Sequence, residues 1–346
     1  MTTPEEITQP LSVRAQAPAE QPPLPSVEGL QWRGLGAADL DAFHALALHL
    51  ETEDDLLFRS TPEESQDRLM STGVANGNVV GAFDDAGALQ AFAGVRRAPE
   101  DEGSVRVFLD GGVSPAYRRK GIGTILLDWQ IARARQLLAE SDRHVPGRIV
   151  ANAEENLPDA VHMLVSRGFR PQRWYFDLRR DLSQPIPDLE LERSLQIVPW
   201  SEDLNEQCRL AHNDAFEMHW GSEPSSPETW AEDREFLTPE WSFLVLDNSS
   251  DRSKVVGYLL SGRYEQDWDS LGWTEGYIDM LGVRQAWRNR GIATALVAHA
   301  MKIYAGEGIE YAAVGVDAAA PSKTYGLFST LDFEAIRSST MFAIEI

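Results

Sequence analysis

Two short segments, one in each half of the chain, combine basic residues and glycine at a spacing that suits anion binding. Residues 118–124 and 288–294 each place a basic residue, two spacers, a glycine, an apolar residue and then glycine or alanine. The small residues let successive backbone N–H groups approach a phosphate, and a following helix adds its N-terminal N–H groups and positive dipole end. We therefore predict two pyrophosphate-binding loops. Their residues are Arg118, Arg119, Lys120, Gly121, Ile122, Gly123 and Thr124, and Arg288, Asn289, Arg290, Gly291, Ile292, Ala293 and Thr294.

Each loop lies at the same place in a repeated order of strands and helices. In the first half, apolar periodicity predicts a strand near residue 30, a helix, a hairpin turning at residues 84–87 and a strand that leads into the loop. The second half repeats this order, with its hairpin turning at residues 248–251. The repeat unit is therefore a whole domain. We predict an α/β fold with mixed sheets, in domains 29–182 and 193–346 joined by a proline-marked linker over 183–192.

Composition restricts the partners of the chain. A formal net charge of −23 over 346 residues offers no basic field for nonspecific nucleic-acid binding. A single cysteine, Cys208, excludes an intramolecular disulfide and a cysteine-cluster metal site. Residues 1–28, rich in Pro, Gln, Glu and Ala, predict a flexible tail. With no secretory signal and no bilayer-spanning apolar stretch, we expect a cytoplasmic protein without a membrane partner, as a monomer or homodimer.

The order of elements around Arg-x-x-Gly-x-Gly/Ala resembles the GNAT superfamily of acyl-CoA-dependent N-acetyltransferases, once in each half. Residues 156–169 and 317–333 also resemble the family's closing Asn-Pro…Leu-Tyr-x-x-x-Gly-Phe segment. The chain is identified as a tandem GNAT protein, in an arrangement similar to that of the mycothiol synthase family. The resemblance implies acetyl-CoA as acyl donor and no metal. It also implies that the pantetheine arm binds backbone groups of the strand before each loop, at Val113, Leu281 and Val283.

The closing segments depart from the family pattern. The tyrosine that in the family protonates the leaving CoA thiolate falls on Leu164 in the first half and Phe328 in the second. The usual asparagine, a cofactor contact, is kept as Asn156 but becomes Ala320 in the second half. Tyr325 lies one helical turn before Phe328 and is a candidate replacement for the proton donor, or else a packing residue.

A general base for amine acetylation is predicted on the strand before the second loop. The resemblance implies a carboxylate there, and Glu275, Tyr277 and Asp279 alternate so that their side chains share one face. Ile278 and Met280 are expected on the opposite, core face. A solvent-facing polar strand explains the same alternation, so both interpretations stay open.

The corresponding strand of the first half differs in its predicted face. That face carries Val105, Val107 and Leu109 without an acid, while Asp110 falls on the opposite side. The second half is therefore predicted to catalyse, and the first to bind CoA or serve as a scaffold.

A further polar cluster precedes the second hairpin. His219 and Trp220 lie in the helix–loop–helix region that in the family shapes the acceptor pocket. Both are candidate substrate contacts, and His219 is also a candidate second base. A histidine bonded to backbone at a helix end and an aromatic packed under a loop are the structural alternatives.

The resemblance implies an acyltransferase that transfers an acetyl group from acetyl-CoA to a primary amine of a small molecule, and the candidate bases favour the C-terminal domain. The candidate catalytic residues are Asp279, Glu275 and Tyr325. Two alternatives remain, namely a noncatalytic acyl-CoA-binding protein and a protein or peptide N-acetyltransferase.

Overall fold

The computed structural model describes residues 7–56, 59–71, 77–98, 103–217, 224–232, 237–318 and 326–346. Contacts between Cα atoms divide the chain into two compact units. The first unit contains Met1–Trp174 and Ser339–Ile346, and the second contains Tyr175–Ser338. Among the described residues, no helix combines the length and apolar character that crossing a bilayer requires.

The first unit is a mixed sheet with helices on both faces. Its helices are α1 (Leu11–Arg14), α2 (Leu40–Glu53), α3 (Pro62–Ser71), α4 (Ile122–Ala139) and α5 (Pro158–Ser166). Its strands are β1 (Gln31–Gly34), β2 (Val79–Phe83), β3 (Leu89–Arg97), β4 (Val105–Val113), β5 (Gly147–Glu154), the start of β6 (Arg170–Asp181) and the end of β12 (Glu334–Glu345). Strands lie in the order β1-β2-β3-β4-β5-β12, with β4 and β5 parallel and the other pairs antiparallel.

Strand alternation divides the core of the first unit between the two faces of the sheet. Val107 of β4 and Leu126 of α4 belong to the cluster on one face. Phe43 of α2 and Phe92 of β3 pack on the other, with ring centroids 4.9 Å apart. The predicted hairpin between β2 and β3 is confirmed, and Asp84 accepts hydrogen bonds from the backbone of its turn.

The prediction of a flexible tail over residues 1–28 is corrected for the part that the structure describes. Leu11 is fully buried in the core of the first unit, and its N–H donates to the carbonyl of Arg143 at 2.9 Å. Arg14 donates to the carbonyls of Val145 and Ile346. Apolar burial and a guanidinium that serves two backbone acceptors fix this segment despite its polar composition.

The second unit repeats the architecture of the first. Its helices are α6 (Asn205–Phe216), α7 (Pro227–Glu232), α8 (Glu265–Leu271), α9 (Ile292–Gly306) and α10 (Gly326–Ser329). Its strands are β7 (Leu195–Pro199), β8 (Phe243–Asp247), β9 (Lys254–Gly262), β10 (Glu275–Val283) and β11 (Tyr311–Ala318), with the end of β6 and the start of β12. They lie in the order β7-β8-β9-β10-β11-β6; β10 and β11 are parallel, whereas the pairs from β7 to β10 are antiparallel.

Two clusters again cover the two faces of this sheet. Ile278 and Tyr304 belong to the cluster on the α9 face, and Cys208 and Tyr258 to the cluster on the α6 face. The α/β class with mixed sheets and the second hairpin are thereby confirmed. The observed units do not end where the predicted domains 29–182 and 193–346 end, because the last strand segment of each half is assigned to the other unit.

Candidate active site

The two glycine-containing loops adopt matching backbone conformations. Arg119 and Gly121 have φ values of +62° and +80°, and Asn289 and Gly291 have values of +61° and +73°. The left-handed region favours glycine, and no atom lies within 4 Å of a Cβ built on either glycine. Glycine is therefore needed at these positions for its conformation, and the space beside it stays open.

A helix begins directly after each loop. Ile122 and Ile292, the first residues of α4 and α9, are buried and anchor the helices in the cores. The first N–H groups of a helix have no acceptor in a preceding turn, so they remain available to an anion beside the glycine. A Cβ on Gly123 would make an ordinary 3.5 Å contact with Met163, which is consistent with alanine at the corresponding Ala293.

The first arginine of each loop braces the loop against the strand before it. The Nε group of Arg118 donates to the carbonyl of Val113 at 2.9 Å, and that of Arg288 to the carbonyl of Val283 at 3.4 Å. Arg118 also forms a bidentate ion pair with Asp54 at 2.6 and 2.8 Å. These side chains hold the loop, which leaves anion binding mainly to the backbone.

Four further polar residues predicted to contact a cofactor have partners within the protein. Arg119 pairs with Asp159 at 2.6 Å, with both side chains exposed. Arg290 pairs with Glu192, which lowers the pKa of that carboxyl. Asn156 donates to the carbonyl of Asp54 at 2.9 Å. Lys120 lies over the ring of Tyr117, 4.7 Å from its centroid.

The strand before each loop separates from its parallel neighbour partway along. β4 pairs with β5 over Val105–Phe108 but continues to Val113. β10 pairs with β11 over Glu275–Ile278 but continues to Val283. Each unit therefore has a gap between parallel strands that opens toward its glycine loop.

Backbone groups of the separated segments point into these gaps. The N–H of Ser114 donates to Gln90 of β3, and the N–H of Arg284 donates to Val256 of β9. Because backbone groups alternate in direction along a strand, those of the preceding residue point to the opposite edge. The backbone groups of Val113, Leu281 and Val283 therefore point to the gap, although the carbonyls of the two valines already accept from Arg118 and Arg288. That these residues bind the pantetheine arm stays a prediction.

A β-bulge in β10 changes the predicted assignment of side chains to faces. The register with β9 shifts between Ile278 and Met280, so that Asp279 is the extra residue. Ile278 packs with the α9-face cluster as predicted, but Met280 packs with the α6-face cluster, which contradicts the prediction. After the extra residue, side chains alternate between the two faces again, but each lies on the face opposite to the one predicted.

Asp279 lies beside two tyrosines. Its Oδ1 accepts a 2.8 Å hydrogen bond from the hydroxyl of Tyr264, whose ring packs edge-on against Tyr277 with centroids 5.8 Å apart. The residue is exposed, yet surrounding protein replaces much of the hydration of its carboxylate. This desolvation raises the pKa of Asp279 to about 6, and the hydrogen bond from Tyr264 opposes the rise.

Glu275 lies nearby but is buried. It is 6% exposed, and its Oε2 accepts a 2.8 Å hydrogen bond from the indole of Trp273. Burial raises the pKa of Glu275, and it also raises the pKa of Asp177 on β6. The guanidinium of Arg179 lies over the ring of Trp273, 4.1 Å from its centroid. Glu275 therefore has less access to a substrate than Asp279.

The first unit has no bulge at the corresponding place, so its strand presents other residues. Val105 and Val107 face the core beside α4, whereas Phe108 and Asp110 line a cleft of about 480 Å³. The predicted alternation is confirmed, because Val105 and Val107 share a face without an acid and Asp110 lies on the opposite face, which lines the cleft. Asp110 is held in a bidentate ion pair by Arg68 of α3, with both N–O distances 2.6 Å.

Comparison with known proteins places these features in one family. The sequence model of the Acetyltransferase (GNAT) family matches residues 45–169 and 206–328, which together are more than half of the chain. The chain belongs to the GNAT acetyltransferase family. Both matches confirm the predicted tandem of two GNAT domains and support an acyltransferase enzyme. Comparison with curated proteins gave no match.

Solved structures share the fold of this tandem GNAT protein at low sequence identity. A GCN5-related N-acetyltransferase from Sphaerobacter thermophilus is 22% identical, with a TM-score of 0.69 and coverage of 93% of this chain and 97% of that one. The tandem GNAT protein from the clavulanic acid biosynthesis pathway is 16% identical, with a TM-score of 0.56 and coverage of 91% and 98%. The glucosamine N-acetyltransferase region of a fungal multi-domain β-N-acetylglucosaminidase is 17% identical, with a TM-score of 0.62 and coverage of 92% and 38%.

The GNAT family uses acetyl-CoA as acyl donor, and the residues present here fit such a ligand. Each unit combines a gap between strands, backbone groups along one edge of it, and a left-handed loop before a helix. In the described parts of the chain, no cluster of three or more His, Cys, Asp or Glu side chains is placed to hold a metal ion.

The positions of the family tyrosine are apolar and packed. Leu164 is buried in the core of the first unit, and Phe328 packs edge-on against Phe333 with centroids 5.3 Å apart. Tyr325, His219 and Trp220 lie outside the described residues, so their roles stay predictions. The sequence did not reveal the pair between Tyr264 and Asp279 or the pair between Arg68 and Asp110, because each joins residues that are distant in sequence.

Proposed function

We propose that this GNAT protein transfers an acetyl group from acetyl-CoA to a primary amine of a small molecule, and that the second unit performs the reaction. The observation that carries the proposal is Asp279. It is an accessible carboxylate on a bulge beside the gap between β10 and β11, and its pKa is raised to about 6. A general base works best when its pKa lies near the working pH, because it is then largely ionised and still binds the substrate proton well.

The residues of the second unit divide the work of the reaction. Backbone groups of Leu281, Val283 and the loop ending at Gly291 hold the donor. Bound acetyl-CoA supplies the activated acetyl group as a thioester. Asp279 takes one proton from the ammonium form of the acceptor, and the resulting neutral amine attacks the thioester carbon. The C–N bond forms, the C–S bond breaks, and the second amine proton leaves with the thiol of CoA. Fixed positions for the two substrates lower the entropic part of the barrier.

The charge around Asp279 supports an acceptor that arrives as a cation. Glu275 and Asp177 contribute two further carboxyl groups, and the charge of each acts on Tyr277 beside Asp279. Arg179 acts on Glu275 and Arg337 acts on Asp177, whereas among the described residues no cationic group is one of those that act on Asp279. A carboxylate without a cationic partner attracts a cationic amine. The same charge stabilises the ammonium form, so a base is needed to generate the nucleophile.

In the first unit, the carboxylate that the strand before the loop presents to the cleft is already paired. Asp110 faces its cleft, but both carboxylate oxygens accept hydrogen bonds from Arg68. The guanidinium of Arg68 thus takes the place that a cationic amine needs. This supports binding of CoA, rather than catalysis, as the role of the first unit.

One observation favours the alternative of a noncatalytic acyl-CoA-binding protein. Leu164 and Phe328 replace the family's proton-donating tyrosine in both units, and neither carries an ionisable group. Transfer to a protein or peptide, the second alternative, would be recognised by faster thiol release with a lysine-containing peptide than with small amines.

The proposal is tested by following CoA thiol release with acetyl-CoA, a panel of small primary amines and a lysine-containing peptide. For the best acceptor, Asp279→Asn should lower kcat by about 100-fold or more at pH 7, because general bases contribute factors of this order. Its Kd for acetyl-CoA, measured by calorimetry, should stay within about twofold, since the backbone holds the donor.

The control is Asp110→Asn, which removes the carboxylate that the strand before the first loop presents to its cleft. Its melting temperature is measured first, because Arg68 loses its partner. A folded variant should keep wild-type turnover. Loss of turnover in Asp110→Asn but not in Asp279→Asn would move the reaction to the first unit. Saturable binding of acetyl-CoA without thiol release across the panel would support the noncatalytic alternative.

A further inference from the structure

Asp279 occupies a position that ordinary sheet contacts do not fix. In the register between β10 and β9, Ile278 is opposite Ser261 and Met280 is opposite Leu260, so Asp279 has no residue across from it. Side chains in a sheet are held largely by their cross-strand neighbours. A carboxylate on a bulge needs another partner if it is to keep one orientation.

Tyr264 provides that partner. It directly precedes α8 and donates its hydroxyl proton to Oδ1 of Asp279 at 2.8 Å. Its ring stands at 90° to the ring of Tyr277, which in turn is opposite Gly262 in the sheet register. The hydroxyl of Tyr277 lies instead beside the backbone of Gly315, 2.7 Å from a Cβ built on that glycine. The two rings therefore support each other, while one hydroxyl holds the carboxylate.

The space around this pair is closely filled. A Cβ built on Gly262 would lie 2.5 Å from the ring of Tyr264 and 2.7 Å from Oδ2 of Asp279. These distances are shorter than real Cβ contacts, so the absence of a side chain at position 262 lets both groups approach the strand. Oδ1 is held by the hydroxyl, and Oδ2 lies against the glycine.

The first unit lacks these features together. There, β4 pairs with β3 without a register shift, and Leu109 stands at the place that Asp279 occupies relative to the loop. β3 ends at Arg97 and β4 begins at Val105, and the described residues between them form no helix like α8. The tyrosine accompanies the bulge and the carboxylate in the second unit.

We propose that Tyr264 is a positioning residue for acetyl transfer, whose hydroxyl holds the Asp279 carboxylate in the orientation that accepts the amine proton. The inference rests on the proposed function of Asp279. Tyr264 acts through Asp279 and need not touch the acceptor or the thioester.

The hydrogen bond should also govern how Asp279 titrates. Burial favours the neutral carboxyl, and the hydroxyl of Tyr264 favours the carboxylate. Among the neighbouring titratable groups, Tyr277 of β10 and Asp267 of α8 act on Tyr264. Glu275 of β10 and Asp177 of β6 act on Tyr277, and Asp279 itself acts on Tyr304 of α9. Without the hydroxyl, the effect of burial stands unopposed and the pKa of Asp279 must rise.

The test compares Tyr264→Phe with the wild type in the full chain. The variant keeps the ring and its packing but removes the donor. The titration of Asp279, followed by carboxyl carbon NMR without substrate and assigned with Asp279→Asn, should move upward by about 0.5–1 pH unit, as expected for one lost hydrogen bond. The acidic limb of the kcat profile should move by the same amount, while the KM for acetyl-CoA stays within about twofold.

Tyr277→Phe is the matched control, because it removes the neighbouring hydroxyl that does not contact Asp279. It should leave the midpoint of the Asp279 titration unchanged. Coinciding titrations of Tyr264→Phe and wild type, or an equal shift in Tyr277→Phe, would overturn the inference. If the titration shifts but the wild type releases no thiol with any amine, the proposed transfer fails and the hydrogen bond stands.

Discussion

Position 279 places an ionisable group where the folded protein disfavours its charge. Desolvation raises the pKa of Asp279 to about 6, well above the ordinary value of an aspartate. Such a group lowers stability at neutral pH and is kept where its proton affinity serves a reaction. Replacing Asp279, the residue that carries the proposed chemistry, should therefore increase the stability of the folded protein at neutral pH.

The raised pKa of Asp279 predicts that the difference in stability between the wild type and Asp279→Asn depends on pH. Between the unfolded pKa near 4 and the folded pKa of about 6, the folded state binds more protons than the unfolded state. The stability of the wild type relative to Asp279→Asn should thus be greatest below pH 4 and fall as the pH rises through 6. Urea denaturation of both proteins at pH 4, 5, 6 and 7 measures it.

Asp85→Asn serves as the control for this comparison, because Asp85 is exposed in the turn between β2 and β3. Its free energy of unfolding corrects the comparison for the loss of one surface carboxylate. A constant difference between Asp279→Asn and the wild type would show that Asp279 titrates normally in the folded protein.

At the scale of elements, the loops could be predicted from sequence because residue type dictates their backbone. Gly121 and Gly291 adopt positive φ values that other residues rarely take, and small residues follow them. The bulge could not be predicted in this way. Nothing in the residue type of Asp279 indicates a bulge, since a register shift depends on how β10 pairs with β9. Strict alternation therefore placed Met280 on the wrong face.

The loop geometry predicts how substitutions at Gly291 separate strain from blockage. Any side chain there meets the same unfavourable φ of +73°, which costs about 1–2 kcal/mol. Gly291→Glu additionally projects a negative charge into the open space beside the glycine, where like-charge contact costs several kcal/mol. Acetyl-CoA affinity of the second unit should fall at least about tenfold more in Gly291→Glu than in Gly291→Ala.

Calorimetric titration measures both Gly291 variants, with Gly121→Glu and Gly121→Ala as the matching pair in the first unit. Loss of one binding site in each glutamate variant would assign one acetyl-CoA to each unit. Equal affinities for Gly291→Glu and Gly291→Ala would mean that no donor phosphate binds beside this glycine.

At the scale of the whole molecule, the repeat in the sequence and the compact units differ. The repeat can be predicted because loops and hairpins recur in the same order in both halves. The repeat also predicts that the last strand of each half belongs to the domain formed by that half. In the structure, Ser339–Ile346 belongs to the first unit and the end of β6 belongs to the second. Local sequence could not reveal this, because an apolar strand pattern does not specify which edge the strand joins.

This assignment predicts a crossed response to two core truncations. Phe342 is buried in the core of the first unit and pairs with Ala151 of β5, whereas Leu178 of β6 is buried in the core of the second unit. Phe342→Ala should therefore increase amide exchange in β5, and Leu178→Ala should increase it in β11, the neighbour of β6. Each truncation of a buried side chain costs about 2–5 kcal/mol. Hydrogen exchange with mass spectrometry on both full-length variants follows the two strands separately. If each half of the sequence instead kept its own last strand, Phe342→Ala would loosen β11 and Leu178→Ala would loosen β5.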